Sequence, residues 1–165
     1  MIVLGIDPGS LATGYGMVRA EGGKLVCLDY GVIRVQFKAT LPKRLDVIYQ
    51  NLVRIAQVYR PEAAAIESLF YSKNVKTALV QGEARGVMLL ACEQVNLPVY
   101  EYAPATVKQA VVGQGGAGKG QVGYMIQRLL DLPSLPPEDA ADALAIALCH
   151  LHRVRDKGLG IRGKG

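Results

Sequence analysis

The sequence has 165 residues, of which half are apolar, a fifth are charged and 19 are glycine, and its net charge is +5. This length and composition are typical of one α/β domain, and they exclude a fibrous or largely disordered protein. No apolar run approaches the roughly 20 residues that a membrane-spanning helix needs, so we expect a cytoplasmic protein.

The first half of the chain alternates apolar segments with turn signals. Three strands are predicted in "MIVLGID", "GYGMVRA" and "KLVCLDYGVIRV", with a turn at Glu21, Gly22 and Gly23 before the third. A helix follows in "TLPKRLDVIYQNLVRIAQVYRP", because its apolar residues recur every three or four positions between Pro42 and Pro61.

The second half alternates short strands with helices. "EAAAIES" predicts a fourth strand, residues from about 74 to 96 a second helix, and "PVYEY" a fifth strand, with further helices after it. The order β-β-β-α-β-α-β followed by helices predicts a three-layer α/β sandwich on a mixed sheet.

The stretch "GQGGAGKG", residues 113–120, resembles a phosphate-binding P-loop. Gly120 stands where a P-loop needs a serine or threonine for magnesium, and the preceding "TVKQAVV" suits an amphipathic helix better than a buried strand. A nucleotide-hydrolysing loop is therefore disfavoured. We expect a backbone-exposed loop that ends at Lys119, opens a helix at Gln121 and contacts phosphate.

Four acidic residues are notable for their placement. Asp7 and Glu67 each end an apolar strand, and two parallel neighbouring strands would bring them side by side. Asp139 and Asp142 are three apart on the last predicted helix, although acids in a first turn also suit the helix dipole. Carboxylates gathered in this way repel one another unless a cation joins them, and all-oxygen ligands favour Mg²⁺ or Mn²⁺.

The end of the chain carries most of the net charge. The segment from Arg153 holds five basic residues and one acid, so we predict a domain over residues 1–152 and a basic, glycine-rich tail over 153–165. The composition of the tail fits a solvated chain end and an arm that binds nucleic acid equally well.

The three cysteines are widely separated among apolar residues and are expected to be buried, reduced thiols.

Taken together, these motifs resemble one family, the RuvC-type crossover junction endodeoxyribonucleases. The segments that carry the resemblance are "GIDPGSLATGYG", "IESLFYSKN", "QGEARG", "YAPATVKQAVVG", "GKGQV" and "DAADALAIALCH". The resemblance covers nearly the whole chain in order. It implies a ribonuclease H-like fold with a five-stranded mixed sheet flanked by helices. It also implies a metal-dependent endonuclease that resolves Holliday junctions during recombination and repair, by paired symmetric nicks in strands of like polarity.

The resemblance assigns roles to particular residues. Catalysis and metal binding fall on the four acids already singled out: Asp7, Glu67, Asp139 and Asp142. Some members have histidine at one of the two positions in the last helix, where this sequence has aspartate at both. Contacts to DNA are expected from Phe70, Tyr71, Lys73, Lys108 and Lys119. The implied cofactor is Mg²⁺ or Mn²⁺, with two ions per site, and the implied partners are four-way junction DNA, a second copy of the chain and the RuvA-RuvB branch-migration complex.

Several alternatives stay open at this stage. An ATPase of the actin and hexokinase type also begins with an Asp-x-Gly turn, but it needs about twice this length. A catalytically inactive protein that only binds junctions would lack one of the four acids. Phe70 and Tyr71 could be core aromatics. Gly82 and Gly86, four apart on the second helix, could pack against the protein's own sheet instead of a second copy.

Overall fold

A computed structural model describes residues 1–68, 74–113 and 118–156. The side chain of Lys119 lies outside this description, as do Phe70, Tyr71 and Lys73. Within the described ranges the strands are β1 (Ile2–Asp7), β2 (Ala12–Glu21), β3 (Lys24–Arg34), β4 (Ala63–Glu67) and β5 (Val99–Tyr102). The helices are α1 (Leu41–Tyr59), α2 (Val75–Gln94), α3 (Pro104–Val112), α4 (Lys119–Leu129) and α5 (Glu138–Asp156).

The five strands form one mixed sheet in the order β3-β2-β1-β4-β5. Strands β1, β2 and β3 pair antiparallel, whereas β1 pairs parallel to β4 and β4 parallel to β5. The β2–β3 hairpin closes through Gly22 and Gly23, whose φ angles of 56° and 81° suit the tight turn that matches strand twist. The predicted mixed sheet and the predicted order of elements are confirmed.

The helices cover both faces of the sheet, which gives the predicted three layers. Successive side chains of β1 alternate between the layers: Val3 packs with α3, α4 and α5, and Leu4 packs with α1 and α2. The α1 residues Ile48, Leu52 and Ile55 are buried, as their spacing predicts. None of the described helices is long and apolar enough to cross a bilayer.

Helix α5 lies unusually close to the sheet because the strands present glycine to it. A Cβ built on Gly5 would lie 1.9 Å from the carbonyl oxygen of Ala143, and one built on Gly14 would lie 1.9 Å from that of Asp139. On Gly16 it would lie 2.7 Å from the side chain of Leu144. The α5 residues from Ala143 through Leu151 are all buried, so this helix forms the centre of one core layer.

Three local details differ from the sequence-based expectations. Helix α4 begins at Lys119 and not at Gln121, because Gly118 caps it: the Gly118 N–H donates to Oε1 of Gln121 at 3.0 Å. Helix α5 continues to Asp156, so the first residues of the predicted tail are helical, and residues 157–165 lie outside the described ranges. Cys92 and Cys149 are free and buried as expected, whereas Cys27 is free but only half-buried, so the expectation of burial is wrong for Cys27.

Candidate active site

Two of the predicted acids emerge together at one end of the sheet. The parallel register pairs Gly5 with Ala65 and Ile6 with Ile66, so Asp7 and Glu67 follow as neighbours at the two strand ends. Asp7 is two residues after Gly5, and Glu67 is two residues after Ala65, so each acid lies on the same face of the sheet as that earlier residue. Gly5 and Ala65 face the layer that contains α5. Both carboxylates therefore point to the same face of the sheet.

The other two acids reach this place through the first turns of α5. The backbone of Asp139 lies directly over Gly14 of β2, and Gly14 pairs with Asp7 in the β1–β2 ladder. Asp142 follows one turn later on the same side of the helix. A side chain at Gly14 would hold α5 away from the sheet, so this glycine decides how near the helical acids come to Asp7.

The four acids line a single cleft of about 280 Å³. All four are half-buried. The remaining wall comes from α3 and α4, with Lys108 and with the apolar side chains of Pro104, Val107 and Val122. Among the described residues, the lining of the cleft thus combines four carboxylates, the ammonium group of Lys108 and apolar side chains.

The donor set of this cleft suits a hard divalent cation. Carboxylate oxygens are the ligands that Mg²⁺ and Mn²⁺ prefer, and two like charges at 4 Å repel by about 1 kcal/mol even in water. In the described part of the chain, no three acidic, histidine or cysteine side chains already converge as a ligand group. The carboxylates line an opening, and they would have to turn toward one another to enclose an ion.

Strand β5, the neighbour of β4, is tied to α5 by a partly buried polar contact. Tyr102 pairs with Glu67 in the β4–β5 ladder, and its carbonyl accepts the backbone N–H of Ser68 at 2.9 Å. The Tyr102 hydroxyl lies 2.7 Å from Nδ1 of His150 on α5. Burial lowers the pKa of His150, so the imidazole is held neutral near pH 7. The strand that carries Glu67 and the helix that carries Asp142 are therefore linked through this pair.

The structure describes only part of the predicted DNA-contacting set. Lys108 lies in the wall of the cleft that the four acids also line. The predictions for Phe70, Tyr71 and Lys73, and for the side chain of Lys119, lie outside the described residues. The segment before the glycine run is helix α3, as predicted, which removes the buried strand that a nucleotide-binding P-loop requires.

Some residues of the site carried no sequence signal. Val107 and Val122 read as ordinary core positions of amphipathic helices, and both are buried. His150 stands in an apolar helical run with nothing in the sequence to pair it with Tyr102. Only the packing of α3, α4 and α5 on the sheet brings Val107 and Val122 to the acids, and His150 to Tyr102.

An acid-lined cleft at the carboxyl ends of two central parallel strands, in a five-stranded sheet of this order, defines a nuclease of the ribonuclease H-like class. The family model described as "Crossover junction endodeoxyribonuclease RuvC" matches residues 3–150. The chain therefore belongs to the RuvC family of endodeoxyribonucleases.

Known proteins similar to this chain agree with that assignment. The RuvC of Syntrophomonas wolfei is 48% identical over 94% of this chain and 91% of its own length. A structure of Thermus thermophilus RuvC superposes with a TM-score of 0.87 at 37% identity, covering 95% of this chain and 97% of that one. The Thermus protein in complex with a Holliday junction substrate gives a TM-score of 0.89 at 36% identity, covering 95% and 96%. Nucleases of this family depend on a divalent metal ion.

Proposed function

We propose that this protein resolves Holliday junctions by cutting DNA in the cleft lined by Asp7, Glu67, Asp139 and Asp142. The observation that carries the proposal is that these four carboxylates, from three separate elements, line one cleft, which Lys108 also lines. The similarity to a RuvC that is bound to a Holliday junction supports a four-way junction as the substrate.

The four carboxylates are the residues that would hold the metal, which we propose to be Mg²⁺ or Mn²⁺ with two ions per site. When bound, such ions activate water and stabilise charge on the oxygens of a phosphodiester. Lys108 adds a positive charge where the scissile phosphate would enter. The buried Val107 and Val122 make part of the wall apolar, and a less polar surrounding strengthens the electrostatic interactions of the half-buried acids.

The experiment that tests this proposal combines metal binding with cleavage. We expect Asp7→Asn, Glu67→Gln, Asp139→Asn and Asp142→Asn each to abolish nicking of a four-way junction and to weaken Mn²⁺ binding in calorimetry. Junction binding in metal-free buffer should persist, because these acids contact metal and make few contacts to DNA.

The matched control is Asp131→Asn, the same chemical change at an exposed position outside the cleft, and it should cut at the parental rate. An acid variant that nicks at full rate would remove that residue from the site. Calorimetric stoichiometry separates one ion from two. Linear duplex and single strands serve as substrate controls.

We also propose that the protein acts as a homodimer, because two symmetric nicks need two sites. Helix α2 presents an exposed stripe, consisting of Val75, Leu79, Gly82, Gly86 and Leu90, in which Val75 is 73% exposed and Leu79 64%. A Cβ on either glycine would meet nothing within 4 Å. The two glycines therefore do not pack against the protein's own sheet, and the alternative that they do is wrong. A second α2 could approach this stripe closely.

The dimer proposal is tested by sedimentation at micromolar concentration. The parent protein should sediment at about twice 17.7 kDa, and Leu79→Arg should shift it toward the monomer. Val58→Arg makes the same change at a 67% exposed position on α1 and should leave the mass unchanged. A monomeric parent protein that still makes both nicks in one binding event would overturn the proposal.

We propose that Lys108 contacts the DNA backbone, with Phe70, Tyr71, Lys73 and Lys119 as the other contacts. Loss of one true phosphate contact lowers the salt slope of binding by about one unit and weakens all sequences alike. Lys108→Gln should show this change in metal-free buffer, and an unchanged slope would mean that Lys108 does not contact phosphate.

Phe70→Ala should slow cleavage without lowering the melting temperature, whereas a large loss of thermal stability would support the alternative that Phe70 is a core residue.

The remaining proposals concern the setting of the reaction. The family resemblance favours work in the cytoplasm alongside a RuvA-RuvB branch-migration complex. Co-sedimentation of the purified proteins on a four-way junction tests the partnership. A failure of the three components to form one complex at any junction concentration would contradict it.

A further inference from the structure

An exposed aromatic residue marks the loop between β3 and α1. Phe37 is 81% exposed, more than any other large hydrophobic side chain in the described ranges. It stands at the tip of a turn over residues 36–39, which is closed by the N–H of Ala39 donating to the carbonyl of Gln36 at 3.0 Å. We call this segment the Phe37 turn. A partner that covered this phenyl ring would remove its apolar surface from water, which is favourable.

The Phe37 turn leaves the sheet at the same end as the acid-lined cleft. Strand β3 finishes at Arg34, which pairs with Ala12, and the next residue donates its N–H to the carbonyl of Leu11 at 3.1 Å. Two residues beyond Ala12, Gly14 pairs with Asp7. Because neighbouring strands lie roughly 5 Å apart, the base of the turn is about 10 Å across the sheet from β1.

The sequence around the turn is strongly basic. From Arg34 to Arg44 there are four cations, Arg34, Lys38, Lys43 and Arg44, and no acid. Arg34, Lys38 and Lys43 are exposed. A surface that combines cations with an exposed aromatic ring matches nucleic acid, whose phosphates and base faces it can contact together. A purely apolar protein partner would leave these charges without complement.

We propose that the Phe37 turn is a second DNA-contacting element, which binds the junction outside the cleft, with the Phe37 ring against a base or base step and Lys38 on a phosphate. This inference rests on the proposed function, since it assumes a junction in the cleft. It adds a contact from the β3 side of the sheet, opposite the wall that α3 and α4 provide.

The chain contains no tryptophan, so an introduced indole reports on its own surroundings. In Phe37→Trp, the tryptophan can be excited selectively, and its fluorescence emission should change when four-way junction DNA is added in metal-free buffer. Acrylamide should also quench the indole fluorescence less in the presence of the DNA. The control is Val26→Trp, at a 38% exposed position near the β2–β3 hairpin. That position lies 8 residues along β3 from Arg34, roughly 26 Å away, and its emission should not respond.

Binding measurements give an independent readout. Phe37→Ala should raise the Kd for the junction about fivefold or more. Fivefold corresponds to the lower end of the range measured for the loss of one stacking contact between a base and an aromatic ring. Lys38→Gln should lower the salt slope by about one unit, whereas Lys24→Gln, in the β2–β3 hairpin at the far end of the sheet, should not.

The outcomes separate this inference from the proposed function. If the parent protein binds and cuts junctions while the indole of Phe37→Trp stays silent and Phe37→Ala binds normally, the inference alone is overturned. If the indole responds to protein concentration without DNA, the turn contacts a second copy and the inference fails. If the parent protein binds no four-way junction, the proposed function and this inference fall together.

Discussion

The contact between Gly14 and α5 allows a quantitative prediction about the site. Gly14 has an ordinary strand conformation in β2, so alanine fits its backbone and the effect of Gly14→Ala comes from space alone. The added Cβ would lie 1.9 Å from the carbonyl oxygen of Asp139, against the 3.4 Å at which ordinary contact begins, so α5 must retreat by about 1.5 Å. The obstructing atom belongs to the backbone and cannot turn aside.

The size of the effect follows from this displacement. Overpacking a well-filled core costs about 1 to 3 kcal/mol, and contact with buried backbone places Gly14→Ala at the upper end. For a chain of this length, 3 kcal/mol corresponds to a fall in melting temperature of roughly 6 to 12 °C. Asp139 moves with its helix, and a misplacement of 1 Å at a reacting centre lowers rates about a hundredfold. Cleavage should therefore fall at least that far even at temperatures where the variant is folded.

Thermal melting and single-turnover cleavage of a four-way junction measure the two effects. The matched control is Gly123→Ala inside α4, where the nearest atom, Cδ2 of Leu135, lies 4.0 Å from the new Cβ. That variant should be more stable by about 0.5 to 1 kcal/mol, because alanine is the better helix former. Parental melting and parental cleavage by Gly14→Ala would refute the idea that this glycine sets the position of α5.

Three further predictions concern the rest of the molecule. Burial lowers the pKa of His150 below its ordinary 6.5, so the unfolded chain binds a proton that the folded protein does not. The free energy of unfolding measured in urea should therefore fall as pH drops below about 6.5, by at most about 1.4 kcal/mol per pH unit, and an unchanged pH dependence in His150→Gln would contradict this cause. Arg85, whose side chain is 10% exposed, pairs with the 55% exposed Glu101 at 2.7 Å, so Glu101→Gln should cost about 1 kcal/mol in urea unfolding. A fully neutral result there would mean that water solvates the arginine. Burial raises the pKa of Cys92 to about 11, so its thiol should react with a disulfide reagent slowly in native protein at pH 8 and rapidly in urea. Equal rates in the two states would show that the site opens freely.

The sequence by itself determined the elements and the identity of the candidate acids. Strand alternation and helical spacing are local properties, and they predicted the order of elements and the placement of Asp7 and Glu67 at strand ends. The start of α4 lies two residues before the expected Gln121, because the cap that fixes it is a hydrogen bond that the backbone N–H of Gly118 donates to the side-chain oxygen of Gln121. Nothing in the local pattern distinguishes that glutamine from one that faces solvent.

Only the tertiary structure decided which of these elements meet. Strand β4 lies beside β1, although β2, β3 and α1 separate them in the chain, and this pairing brings Glu67 to Asp7. The last helix reaches the same place because Gly5 and Gly14 leave room for its backbone. The orientation of Gly82 toward open space was likewise undetermined by its spacing. Each of these outcomes depends on contacts between residues that are far apart in the chain, and those contacts stabilise the protein only when the layers pack together. The periodicity of apolar residues within one segment carries no information about such contacts.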